Sequence, residues 1–294
     1  MSLFVREGAV EVGRRAALVF DLDGVVADVR ATYRRAYVEG LRWHLTAHLG
    51  LEVARSGTFH VAQVHALKRH PAFNAPEDVV AHFLLAALVS AERHPGAELT
   101  PALCDVGGAF ERDELLAGLD ASARRRVLSR LDVPRALAAC REAYAGSSDL
   151  KRVYGHVPER RVKGLAHRDR LLLNPLRPPP RRPMGVYTGR ARREARWLMD
   201  RFAFFSRVSD AHLACTDSGA YKPDPVPLVA LHEALGGGPL VYFGDTAGDR
   251  EAMARFRRER PGCLLVQVTN GEPWWPEADF VATRPGPILD LLGA

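Results

Sequence analysis

Five short apolar runs constrain this chain more than any other feature: Ala17–Asp21, Gly185–Thr188, Leu240–Phe243, Leu264–Thr269 and Asp279–Ala282, each bounded by turn residues. Runs of that length suit buried strands rather than helices. Helical patterns lie between them, as in Arg190–Phe205, where Ala195, Leu198, Met199 and Phe202 recur at helical spacing, and in Pro225–Leu235. Strands alternating with helices predict an α/β fold, a doubly wound parallel sheet of the Rossmann-like kind. In such a sheet a ligand lies beyond the carboxyl ends of the strands, which is where the polar residues closing these runs fall.

The rhythm stops after the first run. From Val29 to Arg182 the sequence carries long helix-compatible segments, Arg30–Leu49, Pro76–His94, Asp113–Leu131 and Val133–Tyr144, whose apolar faces can pack on one another. The simplest reading is a helical domain over residues 30–182 inserted after the first strand, with a Rossmann-like core made of residues 1–29 and 183–294. The insertion ends in Asn174–Pro183 (NPLRPPPRRP), which cannot continue a helix and reads as a stiff return linker or hinge.

Composition narrows the class. The chain of 294 residues is 47% hydrophobic, enough for sizeable cores. No apolar run approaches the ~18 residues of a membrane helix, and the first residues lack a leader-like apolar stretch, so a cytoplasmic location off the membrane is expected. Cys104, Cys140, Cys215 and Cys263 are far apart, which argues against a structural zinc site or a disulfide framework. The net charge is +6, but only four of the 41 basic residues are lysines, and the arginines are spread along the whole chain. That pattern reads as general composition rather than a nucleic-acid patch, so nucleic acid is not an expected partner.

Four motifs carry chemistry, each at a strand end. Asp21-Leu22-Asp23-Gly24-Val25 sets two carboxylates one residue apart at the mouth of the core, where their repulsion asks for a cation, although aspartates beside a glycine also make turns and caps. Thr188-Gly189-Arg190 offers a hydroxyl and backbone N–H groups at the start of a helix, and Thr188 as a plain N-cap is the structural alternative. Lys222, held in Tyr221–Pro225 (YKPDP), is a compact cation suited to sit between carboxylates and a phosphate. In Gly244-Asp245-x-x-x-Asp249 two carboxylates can converge from a loop and a first helical turn, and Asp249 could equally cap that helix.

The set Asp21-x-Asp23, Thr188, Lys222 and Gly244-Asp245-x-x-x-Asp249 resembles the four motifs of the haloacid dehalogenase-like hydrolase superfamily. The helical insertion resembles that family's type 1 cap, as in phosphoglycolate phosphatase and β-phosphoglucomutase relatives. The resemblance implies a Mg²⁺-dependent phosphatase that hydrolyses a small-metabolite phosphomonoester through an aspartyl-phosphate. Asp21 would be the nucleophile and Asp23 the general acid and base. Thr188, Gly189 and Lys222 would bind phosphate. The metal set would be Asp21, Asp23 through its backbone carbonyl, Asp245, and Asp249 directly or through water. Up to four negative charges in one site favour keeping one carboxyl protonated near neutral pH.

A phosphomutase on the same scaffold is the main alternative. Asp23 speaks against a dehalogenase, because a leaving halide needs no proton. A phosphonatase would need a cap lysine, and none of Lys68, Lys151 and Lys163 lies in an apolar run that would depress its pKa. A non-catalytic binding module is opposed by the intact motif positions. Arg190 is left out of the set. Within the insertion, the turn-rich His70–Asp78 (HPAFNAPED) offers Phe73 and Asn74 to stack on and hydrogen-bond a substrate, with core packing and helix capping as their other readings. The metabolite and the oligomeric state stay open.

Overall fold

The computed structural model describes residues 3–67, 70, 73, 75–105, 107–219, 222–269, 271 and 273–294. The chain divides into two compact units, Met1–Arg30 with Asp169–Ala294, and Ala31–Arg168.

The first unit holds the strands β1 (Phe4–Val5), β2 (Ala17–Phe20), β3 (Ala27–Asp28), β4 (Arg170–Leu171), β5 (Met184–Tyr187), β6 (Leu213–Ala214), β7 (Leu240–Gly244), β8 (Leu264–Val268) and β9 (Phe280–Ala282). Among the described residues, seven of them form one sheet in the order β1-β9-β8-β7-β2-β5-β6. Every neighbouring pair is parallel except the edge pair β1 and β9. Strands β5, β7 and β8 are buried along their whole length, as expected where helices cover both faces of a parallel sheet. Phe20 of β2 stacks on Phe243 of β7 at 4.5 Å and meets Phe204 and Phe205 edge-on at 5.4 and 5.6 Å. The register sets Phe20 opposite both Val186 and Phe243, so the chain emerges from β2, β5 and β7 at one level. That register is what gathers three of the four motifs.

Strands β3 and β4 pair antiparallel where the helical insertion leaves and returns, Ala27 opposite Leu171 and Asp28 opposite Arg170. Asp28 accepts from Arg30 Nε at 2.8 Å and from Arg170 at 3.3 Å, and the Arg30 hydrogen bond is the main cause holding its carboxyl below the usual range. The N–H groups of Leu172 and Leu173 donate to the Val26 carbonyl, and both side chains are buried. Residues 169–182, read from the sequence as part of the insertion, therefore belong to the first unit. The proline-rich stretch is tied down rather than hinged. Arg182 donates to the carbonyls of Gly13 at 2.6 Å and Ala16 at 3.3 Å and to that of Leu292, while Arg177 reaches Asp290 at 2.8 Å and the Ala294 carbonyl.

The second unit is helical. Its longer helices are Arg30–Ala47, which begins at the boundary, Pro76–Arg93, Ala121–Ser129 and Val133–Ala145. Pro76–Arg93 is buried on nearly every side from Val79 to Ser90, which marks it as the central element, and it packs with Leu41, Leu45, Val64, Leu137 and Cys140. Proline at its first position and Glu77 and Asp78 in its first turn suit a helix start. The segment Asp113–Leu131, expected as one helix, is two: Gly118 takes φ 79°, and the helix restarts at Asp120, whose carboxylate accepts from the Ser122 and Ala123 N–H groups at 2.8 Å. No described helix is long and apolar enough to cross a membrane.

Candidate active site

Asp21 follows β2 directly and is buried, with its N–H donating to the Phe243 carbonyl. Its Oδ1 accepts from the Leu22 N–H at 2.7 Å and lies 3.0 Å from Lys222 Nζ. The same ammonium lies 2.6 Å from Asp249 Oδ1, so Lys222 bridges two buried carboxylates, one just after β2 and one in the helix that follows β7. The ring of Tyr187 stands 5.1 Å from the ammonium and that of Tyr242 5.8 Å, within cation–π range. The Tyr187 hydroxyl donates to the Asp224 carbonyl at 2.7 Å and fastens the loop that carries Lys222. Burial opposes the lysine's charge, but Asp21 and Asp249 outweigh it and hold its pKa above the ordinary range.

Asp249 sits in the first turn of the helix Ala247–Glu259, opposite its cap residue Thr246, with both halves of the capping box made. Its Oδ1 accepts from the Tyr242 hydroxyl at 2.5 Å, and its Oδ2 from the Thr246 hydroxyl at 2.7 Å and the Thr246 and Asp245 N–H groups at 3.0 and 3.2 Å. Burial works against this charge, yet Lys222, Tyr242 and Thr246 hold the carboxyl below the usual carboxylate range. Capping and the contact with Lys222 occur together at Asp249: the cap fixes the rotamer that meets the ammonium.

Asp21 and Asp245 behave in the opposite way. Burial pushes Asp21 up to about 7, with Asp249 and Asp23 adding to the rise and Lys222 resisting it. Burial and the charges of Asp249 and Asp21 push Asp245 well above the usual range. Carboxylate oxygens of Asp21, Asp245 and Asp249 lie within 4.8 Å of one another. A hard, all-oxygen donor set whose members resist charging together fits a hard divalent cation such as Mg²⁺. Gly24 forms part of this wall: it takes φ 77°, and a Cβ there would stand 1.8 Å from Asp245 Oδ2.

Three of the four expected aspartates bring carboxylate oxygens this close together, while the charge of Asp23 still acts on Asp21 and Asp245. Asp23 points its carboxylate to Arg190, whose Nε lies 3.0 Å from both oxygens and whose Nη2 lies 2.8 Å from Oδ1. A planar guanidinium matches a carboxylate edge-on, which a point cation cannot do. The Arg190 side chain is only 3% exposed and turns its Nη1 to Glu194 at 2.7 Å. Asp23 itself stays 38% exposed. Thr188 is buried at the end of β5 with its N–H on the Ala214 carbonyl, its hydroxyl accepts from the Arg190 N–H at 3.3 Å, and Gly189 is exposed.

Sequence reasoning missed Arg190, Tyr187 and Tyr242. The signal for Arg190 was its spacing to Glu194, which allows an ion pair along a helix. In the second unit, Phe73 is 5% exposed and packs in the apolar core, edge-on to His82 at 5.0 Å. It therefore packs as a core residue, one of the two readings its position offered. Asn74 lies outside the described residues.

No protein-family model and no curated protein matches the chain. Among solved structures it is similar to Phosphatase Tt82 from Thermococcus thioreducens, at 22% identity over 94% of this chain and 99% of that one, with a TM-score of 0.55. A structural-genomics target is similar at 13% identity over 86% and 89% of the two chains, TM-score 0.52. A HAD-superfamily hydrolase of subfamily IA from Geobacter sulfurreducens PCA aligns at 19% identity over 96% and 98%, TM-score 0.43. With β2 between β5 and β7 in its mostly parallel sheet and a helical unit inserted in the chain after β3, this protein has the fold of Phosphatase Tt82.

Proposed function

We propose that the chain is a Mg²⁺-dependent phosphatase of the haloacid dehalogenase-like superfamily, acting on a small phosphorylated metabolite. The observation that carries this reading is Lys222 held between Asp21 and Asp249, beside Asp245, at the carboxyl ends of neighbouring parallel strands. Such a site offers one anchored nucleophile, one fixed cation and a hard-cation donor set within a few ångströms.

Asp21 Oδ1 is engaged by Lys222 and the Leu22 N–H, so Oδ2 is the oxygen that attacks phosphorus. The bond from phosphorus to the leaving oxygen breaks as the aspartyl-phosphate forms, which divides one hard displacement into two. Asp23 would leave the Arg190 fork to take up a proton, give that proton to the leaving oxygen and then take one from the water that hydrolyses the intermediate. Thr188 and the Gly189 N–H hold phosphoryl oxygens, and Lys222 offsets the charge shared by Asp21 and phosphate. Asp21, Asp245 and the Asp23 carbonyl, with Asp249 directly or through water, would hold Mg²⁺, which would supply charge neutralisation and keep the carboxylates ionised.

The test is p-nitrophenyl phosphate hydrolysis with Mg²⁺, with EDTA, and in Asp21→Asn, followed by a panel of phosphorylated metabolites. Activity lost in both controls supports the reading, and metal-independent turnover, or none in a folded protein, overturns it. A requirement for a sugar bisphosphate would move the assignment to a mutase.

A further inference from the structure

We propose that the helical unit carries a binding site for a small organic anion, in a groove between the helix Arg30–Ala47 and the segment 55–61. The groove has a volume of about 630 Å³, the size of a metabolite site. One wall is a single helix face, Arg35, Glu39, Arg42, Trp43 and Thr46, spaced three, four and seven apart. The facing wall contributes Arg55, Ser56, Phe59 and His60, and Arg160 closes one side.

Charge decides what such a groove accepts. Four arginines line it against one carboxylate, Glu39, which is already paired with Arg35 at 2.6 Å. Arg42 and Arg55 have no carboxylate partner among the described residues. Arg160 lies over the Trp43 ring at 4.7 Å, donates Nη2 to the Ala139 carbonyl at 2.9 Å, and rests 3.5 Å from the buried Glu142. That contact, made through Nε, pairs Arg160 with Glu142, so the uncompensated positive charge of the groove rests on Arg42 and Arg55. Guanidinium forks pair with phosphate, sulfonate or carboxylate groups in bidentate fashion. Trp43, Phe59 and Val38 give the groove an apolar floor, which selects an anion with a carbon body over an inorganic one. The inference stands on these residues and is independent of the reading of the Asp21 site.

The test is isothermal titration of the full chain, in EDTA, with 1-naphthalenesulfonate, an aromatic anion that no phosphatase can hydrolyse. Saturable binding is expected in the parent chain and in Asp21→Asn, weakened about tenfold or more in Arg42→Gln/Arg55→Gln. Both arginines are exposed, and the single variant Arg42→Glu repeats the measurement if the double variant misfolds. Absence of saturable binding in the parent chain, or equal binding in the variants, overturns the proposal. Inhibition of p-nitrophenyl phosphate hydrolysis by the same sulfonate separates two sources of the anion. Competitive inhibition that disappears in the double variant assigns it to a distal group of the substrate, and any other pattern assigns it to a separate metabolite.

Discussion

The two units bury titratable groups in contrasting ways. In the α/β unit, Asp21, Asp249, Lys222 and Arg190 are buried yet charged partners meet at every turn, and the carboxyls of Asp21 and Asp245 are crowded until they resist ionising. In the helical unit, His44 and His82 are buried, and burial drives each down to about 4, with His48 adding to the fall at His44, so both stay neutral. A core tolerates a buried ionisable group by neutralising it, whereas a site gathers several whose charges conflict until a ligand arrives. The contrast distinguishes a folding core from a reaction centre without reference to any sequence motif.

The largest test of that contrast is Asp21→Asn, which should lower kcat for p-nitrophenyl phosphate by about 10⁴-fold or more while the thermal unfolding midpoint stays the same or rises. Retained turnover would remove the distinction between the units. Lys222→Met leaves two buried carboxylates facing each other, and urea unfolding near pH 8 should show a loss of about 3–5 kcal/mol. A loss below about 1 kcal/mol would mean that the carboxyls simply protonate.

Stability against pH should then run in opposite directions in the two units. His44 and His82 take up protons near 6.5 when unfolded but near 4 when folded, so their contribution is lost as pH falls through that window, by about 1–3 kcal/mol each. Asp21 keeps its proton to about 7 when folded but loses it near 3.8 when unfolded, so without divalent cation its contribution falls as pH rises. Urea midpoints across that range should steepen on the acid side in the parent chain, flatten there in His82→Phe, and flatten on the neutral side in Asp21→Asn. Identical profiles in all three chains would contradict the assignment.

Arg190→Lys keeps the charge but loses the fork on Asp23, and kcat should drop about 10- to 100-fold with KM little changed. The smallest expected effect is that of Phe73→Leu, about 1 kcal/mol of stability with KM unaltered; a raised KM would return Phe73 to the substrate.

The candidate-site aspartates and Thr188 were legible because a parallel sheet puts its chemistry at strand ends, where an apolar run meets a polar residue, and Lys222 because a rare lysine stands in a proline-flanked loop. Tyr187 and Tyr242 were not, since inside a run they look like ordinary core; their roles appear only when register brings β5 and β7 to either side of β2. Strands β1, β3, β4 and β6 span two residues each, too few to show a period. For the same reason the return boundary was placed at the prolines rather than at Arg168, where a two-residue ladder decides it.

That ladder has a further consequence. Because Asp28 and Arg170 are directly paired, the outgoing and incoming chain are neighbours on the α/β unit, and residues 31–168 leave and re-enter that unit at adjacent points. A segment joined at two adjacent points can be exchanged for another of different length without re-laying the sheet. Splicing a short turn between Asp28 and Arg170 is the change of length that this adjacency allows at the least cost to the sheet.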